Sequence, residues 1–597
     1  MHERLRPAVA ACALFAAGGA HSEQMFRGGF EGPAPCVDMA ADAGATLDVA
    51  SIAITPDFRL NGKAFPVDNT RYAQIFLADA DGYQALLGST RTSPAVPVHI
   101  VPGLYDVIYE YVTGTGIPLN HGARLARNLW LDSDRTLRVD VTSVTVNADF
   151  EHNGVAFTNN PLNAGNLFLD GIYYGGETPL GSTSQQSADL VLLPGAYRLV
   201  YRHATGNAVP ANTNARLDRH DLDASGAHVF NVASALVNVS FSLNGGAFPN
   251  SAYERGDFTL VSTDGDVVPL HDSLVTTVQR RVIPATYNVH YERIAGTAIV
   301  PINSDAIVAG PFVISGAASI GADVASVEVS GDYSVNGDPP PASTYENGET
   351  FVIDPNTGAK TTFGQTQDQS YQTHLVAQPY AVGYRIVAGG SILPSNADTV
   401  LFTGWNPVAT PTHDIDIAVG AYAADLTLNG GAFPATAYER GYLYARLPAG
   451  GPATVLGTTD DGVIDRNLLP GSYFVTYTIN AGGTVPRNLN APIPGTRVIA
   501  AGSNPIDMIA VVSVDLDRDL TLDGAAFPAA TNAHLRWRAR HPFGDDTAFW
   551  GNTSSGAASV PIIPGEYELI YEHEDGATIP QNNHQRIACW NILPAVQ

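Results

Sequence analysis

The stretch Leu193-Pro194-Gly195-Ala196-Tyr197-Arg198-Leu199-Val200-Tyr201 decides how this chain folds. Proline presets φ and glycine turns freely, so Pro194-Gly195 makes a corner. The alternation that follows puts Tyr197, Leu199 and Tyr201 on one face of a strand. A tyrosine just after such a corner marks a sandwich of sheets, its hydroxyl bonding to nearby backbone. The corner returns as Pro102-Gly103 before Tyr105, Pro470-Gly471 before Tyr473 and Pro564-Gly565 before Tyr567.

Working outward, a second landmark lies 43 or 44 residues upstream of each tyrosine. It is an Asn-Gly or Asp-Gly pair: Asn61-Gly62, Asn153-Gly154, Asn244-Gly245, Asn336-Gly337, Asn429-Gly430 and Asp523-Gly524. Such pairs tolerate positive φ at both positions and close tight hairpins. Successive copies lie 92, 91, 92, 93 and 94 residues apart. Two further landmarks keep register: a Leu-Gly type pair (Leu87-Gly88, Leu180-Gly181, Leu456-Gly457) and a Pro-x-Asn beginning at Pro118, Pro210, Pro301, Pro394, Pro486 and Pro580. A period near 92 is too long for one solenoid turn and matches a small independent domain.

Each copy reads as strands. Val237, Val239, Phe241 and Leu243 alternate with Asn238, Ser240 and Ser242, a half-buried strand. An apolar residue follows 14 positions after the Asn-Gly pair: Ile75, Leu167, Phe258, Leu443 and Trp537. Repeat four has Thr350 there, and a one-residue shift would bring Phe351 into the slot. Turn signals near every tenth residue mean an all-β sandwich.

The early Asn-Gly hairpin and the late Leu-Pro-Gly-x-Tyr-x-Val-x-Tyr of Leu469 to Tyr477 resemble bacterial secreted β-sandwich modules of the carboxypeptidase-regulatory-like and prealbumin-like type. The chain departs from the family in lacking its Gly-Thr-x-Thr-Asp-x-x-Gly-x-Phe stretch. The resemblance implies accessory, non-catalytic modules and names no substrate. The fold class expected is all-β: six tandem Ig-like/prealbumin-like sandwiches, beads on a string. Their expected bounds are 46–138, 139–231, 232–322, 323–415, 416–508 and 509–597, after a signal peptide (1–20) and a leader (21–45). Short linkers favour a semi-rigid rod.

Arg4 and Arg6 precede the apolar run Ala8 to Ala17 and the small residues Gly18-Gly19-Ala20, the export pattern. A secreted, cell-surface or extracellular location is expected, with the periplasm also open. No later stretch is apolar enough for a transmembrane helix. The net charge of −27 repels phosphate backbones and argues against nucleic-acid partners. Once the signal peptide is removed, two cysteines remain, Cys36 and Cys589, and an oxidising compartment would let them pair. Three arrangements are open: head-to-tail self-association, a chain closed on itself, or free thiols.

Chemistry is sparse. There is no nucleophile elbow, no His-Glu-x-x-His and no Cys-x-x-Cys, so neither an enzyme, a metal nor a cofactor is expected. The clusters Asp79-Ala80-Asp81, Asp264-Gly265-Asp266 and Asp460-Asp461-Gly462 read as turns. The Pro-x-Asn asparagines read as caps of their own turns, against a ladder of binding groups along one edge. Repeat six differs from the rest. Arg536, Arg538 and Arg540, with His541, form a basic stripe that would meet an acidic glycan or lipid headgroup, or else this acidic protein's own carboxylates. The leading expectation is a structural, spacer or adhesive repeat protein. The alternative is a protein that binds a cell-surface or extracellular glycan, or another extracellular ligand, through repeat six.

Overall fold

The computed structural model describes residues 36–39, 45–66, 68–92, 96–172, 175–296, 298–528, 532–539, 546–553 and 558–594. The expected signal peptide lies outside them. The described residues form strands joined by turns and three single-turn helices, with no α-helix among them. No described helix is long and apolar enough to cross a membrane.

The second unit shows the plan. Its first strand, Val144–His152, turns through Asn153 and Gly154 at φ 52° and 78° into Val155–Ala156. It pairs antiparallel with Ser187–Leu192 and parallel with Gly226–Val232. A second sheet runs Glu177–Ser182, Ala164–Gly171, Gly195–Thr205, Ala215–Leu222, all antiparallel. Alternate residues face inward from both sheets: Val146, Ala148 and Phe150 from one, and Leu167, Leu169, Tyr197, Leu199 and Tyr201 from the other. This is the two-layer sandwich that period-two patterning requires. The Leu-Gly landmark ends in a buried hydroxyl, as when Thr183 Oγ1 accepts the Gly165 N–H at 3.0 Å.

Repeat four keeps its register without the expected shift. Thr350 stands opposite Gly364 and Tyr384, as Leu167 stands opposite Gly181 and Tyr201. The buried Thr350 hydroxyl is satisfied by Tyr333 Oη at 2.5 Å. Phe351 points the other way, its ring against Gly383.

The sandwiches follow one another in tandem, but the ends of the array meet. The sixth unit's first strand, Val514–Leu522, needs a parallel neighbour equivalent to Gly226–Val232. Ala45–Val49 supplies it, with Val49 opposite Leu522 as Val232 is opposite His152. Leu47 and Val49 are buried in the sixth core. Strand pairing thus places this segment with the last sandwich, not the first. Val37–Met39 adds a parallel fifth strand to the outer edge of the same unit, and a disulfide joins Cys36 to Cys589 with Cα atoms 4.6 Å apart. The architecture is a closed ring of six sandwiches, where the linkers alone suggested a rod.

Candidate functional site

The six Pro-x-Asn asparagines do not cap their own turns. Each is buried and reaches into the following sandwich. Asn120 Nδ2 donates to the Tyr197 hydroxyl at 2.9 Å, and its Oδ1 accepts the Leu193 N–H at 2.7 Å. Tyr197 in turn donates to the Leu193 carbonyl at 2.6 Å, closing the corner. The same links join Asn212 to Tyr287 and Ile283, Asn303 to Tyr380 and Val376, Asn396 to Tyr473 and Leu469, and Asn488 to Tyr567 and Ile563. The sixth copy joins Asn582 to Tyr105 and Val101 in the first unit, at 2.8 and 2.7 Å. The residue between Pro and Asn adds a backbone bond every time, from Leu119 N–H to the Val191 carbonyl through to Gln581 N–H and the His99 carbonyl.

Packing repeats with the same period. The apolar residue before each Pro-Gly-type corner belongs to one unit by sequence and to the preceding unit's core by contact. Leu193 packs in the first core, Ile283 in the second, Val376 in the third, Leu469 in the fourth, Ile563 in the fifth and Val101 in the sixth. Burial raises the corner phenols of Tyr105, Tyr287, Tyr380 and Tyr473, Tyr287 to about 12 against the opposing hydrogen bond from Asn212.

A second set of links ties each hairpin to the start of the next unit. Asn61 Oδ1 accepts the Ser143 N–H at 2.9 Å, and Asp523 Oδ1 accepts the Ser51 N–H at 2.8 Å across the closure. Ser234 has the equivalent place and also lies 2.7 Å from His152 Nε2. His152 is held below the usual imidazole range by burial and by Arg281. This Ser-His contact is a repeat position decorated by one histidine: Ser234 N–H is bound by Asn153 Oδ1 at 2.8 Å, so the serine serves the joint. Among the described residues no cluster of three metal-ligating side chains occurs.

The residues singled out in the sequence have different fates. Cys36 and Cys589 are bonded within the chain, which leaves neither sulfur for a second copy. Arg536 and Arg538 lie on the strand Asn532–Ala539, in register with Ile570 and Glu568. Arg540 and His541 lie outside the described residues. Asp79 caps its own loop by accepting from Asp81 and Tyr83 N–H at 3.0 and 2.9 Å, and burial raises its carboxyl against these bonds. Asp266 serves a joint, accepting Asn214 N–H at 2.7 Å.

Sequence reasoning missed a set of outward turns. Tyr253, Tyr345 and Tyr438 occupy the same position in units three, four and five and are 84%, 85% and 84% exposed. Each amide donates to a hydroxyl two residues earlier, on Ser251, Ser343 or Thr436, at 3.1 to 3.3 Å. The next residue is a glutamate whose carboxylate gathers N–H groups from a neighbouring hairpin. Glu254 accepts from Ala298, Ile299 and Val300, Glu346 from Gly390, Ser391, Ile392 and Leu393, and Glu439 from Gly483 and Thr484. Burial opposes ionisation of Glu346, but these bonds and the Ser391 hydroxyl outweigh it and hold the carboxyl low. Glu439 is held low by the Gly483 and Thr484 amides. The signal was present in the sequence as Tyr253-Glu254-Arg255-Gly256, Tyr345-Glu346-Asn347-Gly348 and Tyr438-Glu439-Arg440-Gly441.

No model of a known protein family matches the chain, and no curated protein sequence does. Among solved structures it is similar to the Bacillus anthracis TIE protein, at 11% identity over 58% of this chain and 68% of that one, TM-score 0.14. It is similar to two B repeat units of the collagen-binding protein of Staphylococcus aureus, at 11% identity over 57% and 93%, TM-score 0.15. A streptococcal ancillary pilin gives 9% identity over 47% and 98%, TM-score 0.14. At these scores the likeness carries no argument about activity or partners.

Proposed function

We propose that this protein is a non-catalytic structural or adhesive scaffold that works outside the cytoplasm. The observation that carries the reading is the sixfold Asn–Tyr joint, which spends the chain's recurrent buried polar residues on holding sandwiches together. A ring fixed at every joint presents its surface turns in a constant arrangement. That suits display and attachment better than spanning a distance. An oxidising compartment suits the Cys36–Cys589 bond.

The test is expression from the full sequence in a bacterial host with an export pathway. The expected product is recovered outside the cytoplasm as a disulfide-closed monomer without turnover in a broad hydrolase screen. Retention in the cytoplasm with both thiols free overturns the location. Turnover abolished by one polar substitution that leaves the ring closed overturns the non-catalytic reading.

A further inference from the structure

We propose that the tyrosine turns of units three, four and five are a multivalent binding surface for a neutral polysaccharide. The inference rests on the adhesive reading above and names its ligand class. Singly exposed apolar side chains are ordinary on protein surfaces. Three whole phenol rings at one position of three consecutive units, each 84% or 85% exposed, are not a scatter. Each ring stands on the same two supports, a Ser or Thr hydroxyl under its amide and a glutamate pinning the next residue to a hairpin. The turn is therefore ordered before any ligand arrives, which lowers the entropy cost of binding.

The ring's chemistry narrows the partner. A phenol offers an apolar face and a polar tip, the complement of a sugar ring with its C–H face and its rim of hydroxyls. Apolar neighbours extend the platform in two units. Ile294 and Ile299 flank the hairpin that Glu254 holds, and Val387 and Ile392 flank the one Glu346 holds, all roughly half exposed. Proline-rich peptides dock in aromatic-lined grooves, whereas these rings stand free on turn tips. Charge excludes the anionic alternatives: the chain carries −27, and the carboxylate beside each tyrosine is committed to backbone amides. Acidic glycans and anionic membranes would be repelled.

The repetition fits a polymer. One stacked sugar binds weakly, but joints that fix neighbouring units raise the effective concentration of the second and third contacts, giving about 10²–10⁴ in avidity. A long neutral chain that repeats its own residues can engage successive turns; a short oligosaccharide cannot.

The closing experiment is a pull-down of the full-length, disulfide-closed protein on insoluble cellulose, chitin, β-1,3-glucan, starch and mannan. Parallel arms use alginate, a polyproline peptide and anionic lipid vesicles. The expected result is retention on at least one neutral polysaccharide and on none of the other probes. Tyr253→Ala, Tyr345→Ala and Tyr438→Ala should each weaken retention three- to tenfold, and the triple variant should lose at least a hundredfold. The triple Tyr→Phe variant should keep most of it, and every variant should keep the wild-type melting temperature because the rings are exposed. Retention on no neutral polysaccharide overturns the inference, as does an unaffected triple alanine variant or retention on the peptide or vesicles alone. The scaffold reading fails separately, by an open chain or by turnover in the hydrolase screen.

Discussion

Asn582 donates its side-chain amide to the hydroxyl of Tyr105 at 2.8 Å, across 477 positions of sequence. The bond is the same one that Asn120 makes to Tyr197 across 77. Sequence distance does not distinguish the closing joint from the others, and a structure in which the two are equal is cyclic.

That equality is measurable. Asn582→Ala leaves the Val101 N–H without its buried acceptor and the Tyr105 hydroxyl without its donor. Asn303→Ala does the same to Val376 and Tyr380. An unsatisfied buried group costs about 1–3 kcal/mol, so both variants should lose a similar few kcal/mol in denaturant unfolding. An extended array would lose stability only from Asn303→Ala. A neutral Asn582→Ala alongside a damaging Asn303→Ala would contradict closure.

Closure also has a covalent signature. The Cys36–Cys589 bond spans 553 residues, so the denatured but unreduced chain is a large loop. It should run faster than the reduced chain on a denaturing gel. Cys589→Ser should abolish the difference without producing dimers. A disulfide-linked ladder in the wild type would mean that the sulfurs pair between chains.

The sandwich was legible because its signals are local. Asn-Gly turns, period-two strands and the Pro-Gly-x-Tyr corner each act within a dozen residues, and Tyr197 bonds Leu193 four positions away as the corner implies. The joints were not, because an asparagine that caps its own turn and one that reaches the next unit look alike in sequence. The closure did leave a trace. Leu47-Asp48-Val49-Ala50-Ser51 matches Val139-Asp140-Val141-Thr142-Ser143 and Ala322-Asp323-Val324-Ala325-Ser326, the segments where the first unit passes into the second and the third into the fourth. A unit-ending segment ahead of the first unit can only serve a unit elsewhere. The same Asp does the same work in each: Asp140 accepts the Gly62 N–H and Asp48 the Gly524 N–H, at 2.9 and 2.8 Å.

Packing across a joint predicts a cost that spreads to two units. Ile283 belongs to the third unit by sequence but fills the second unit's core, and it is 5% exposed. Ile283→Ala should cost about 2–5 kcal/mol, the usual range for a buried isoleucine. Hydrogen exchange should quicken in the second sheet of unit two as well as at the unit-three corner. A change confined to unit three would mean that the residue does not couple them.

Alkali should open the joints. Burial raises the phenols of Tyr105, Tyr287, Tyr380 and Tyr473, and Tyr287 reaches about 12 from an ordinary 10.0. A raised acid favours its neutral form in the fold, so this stability is complete below pH 10 and lost as pH climbs toward the folded value. Phenolate absorbance should therefore appear in a late step that coincides with loss of circular dichroism. Complete phenolate formation with the native circular dichroism still intact would show that the corners do not hold the ring.

Acid should loosen the tyrosine turns by the opposite sign. Glu439 is held below 4.5 by the amides of Gly483 and Thr484, so its contribution is present above that value and lost as pH falls through the lower folded one. Amide exchange at Gly483 and Thr484, corrected for intrinsic rates, should lose protection as pH falls below the ordinary carboxylate range. Glu439→Gln keeps one acceptor oxygen but loses the charge. It should show the unprotected behaviour already at neutral pH and change little on acidification. Equal protection in the two proteins at pH 7 would separate the carboxylate from the order of the turn, and the pre-organised platform at Tyr438 would need another source.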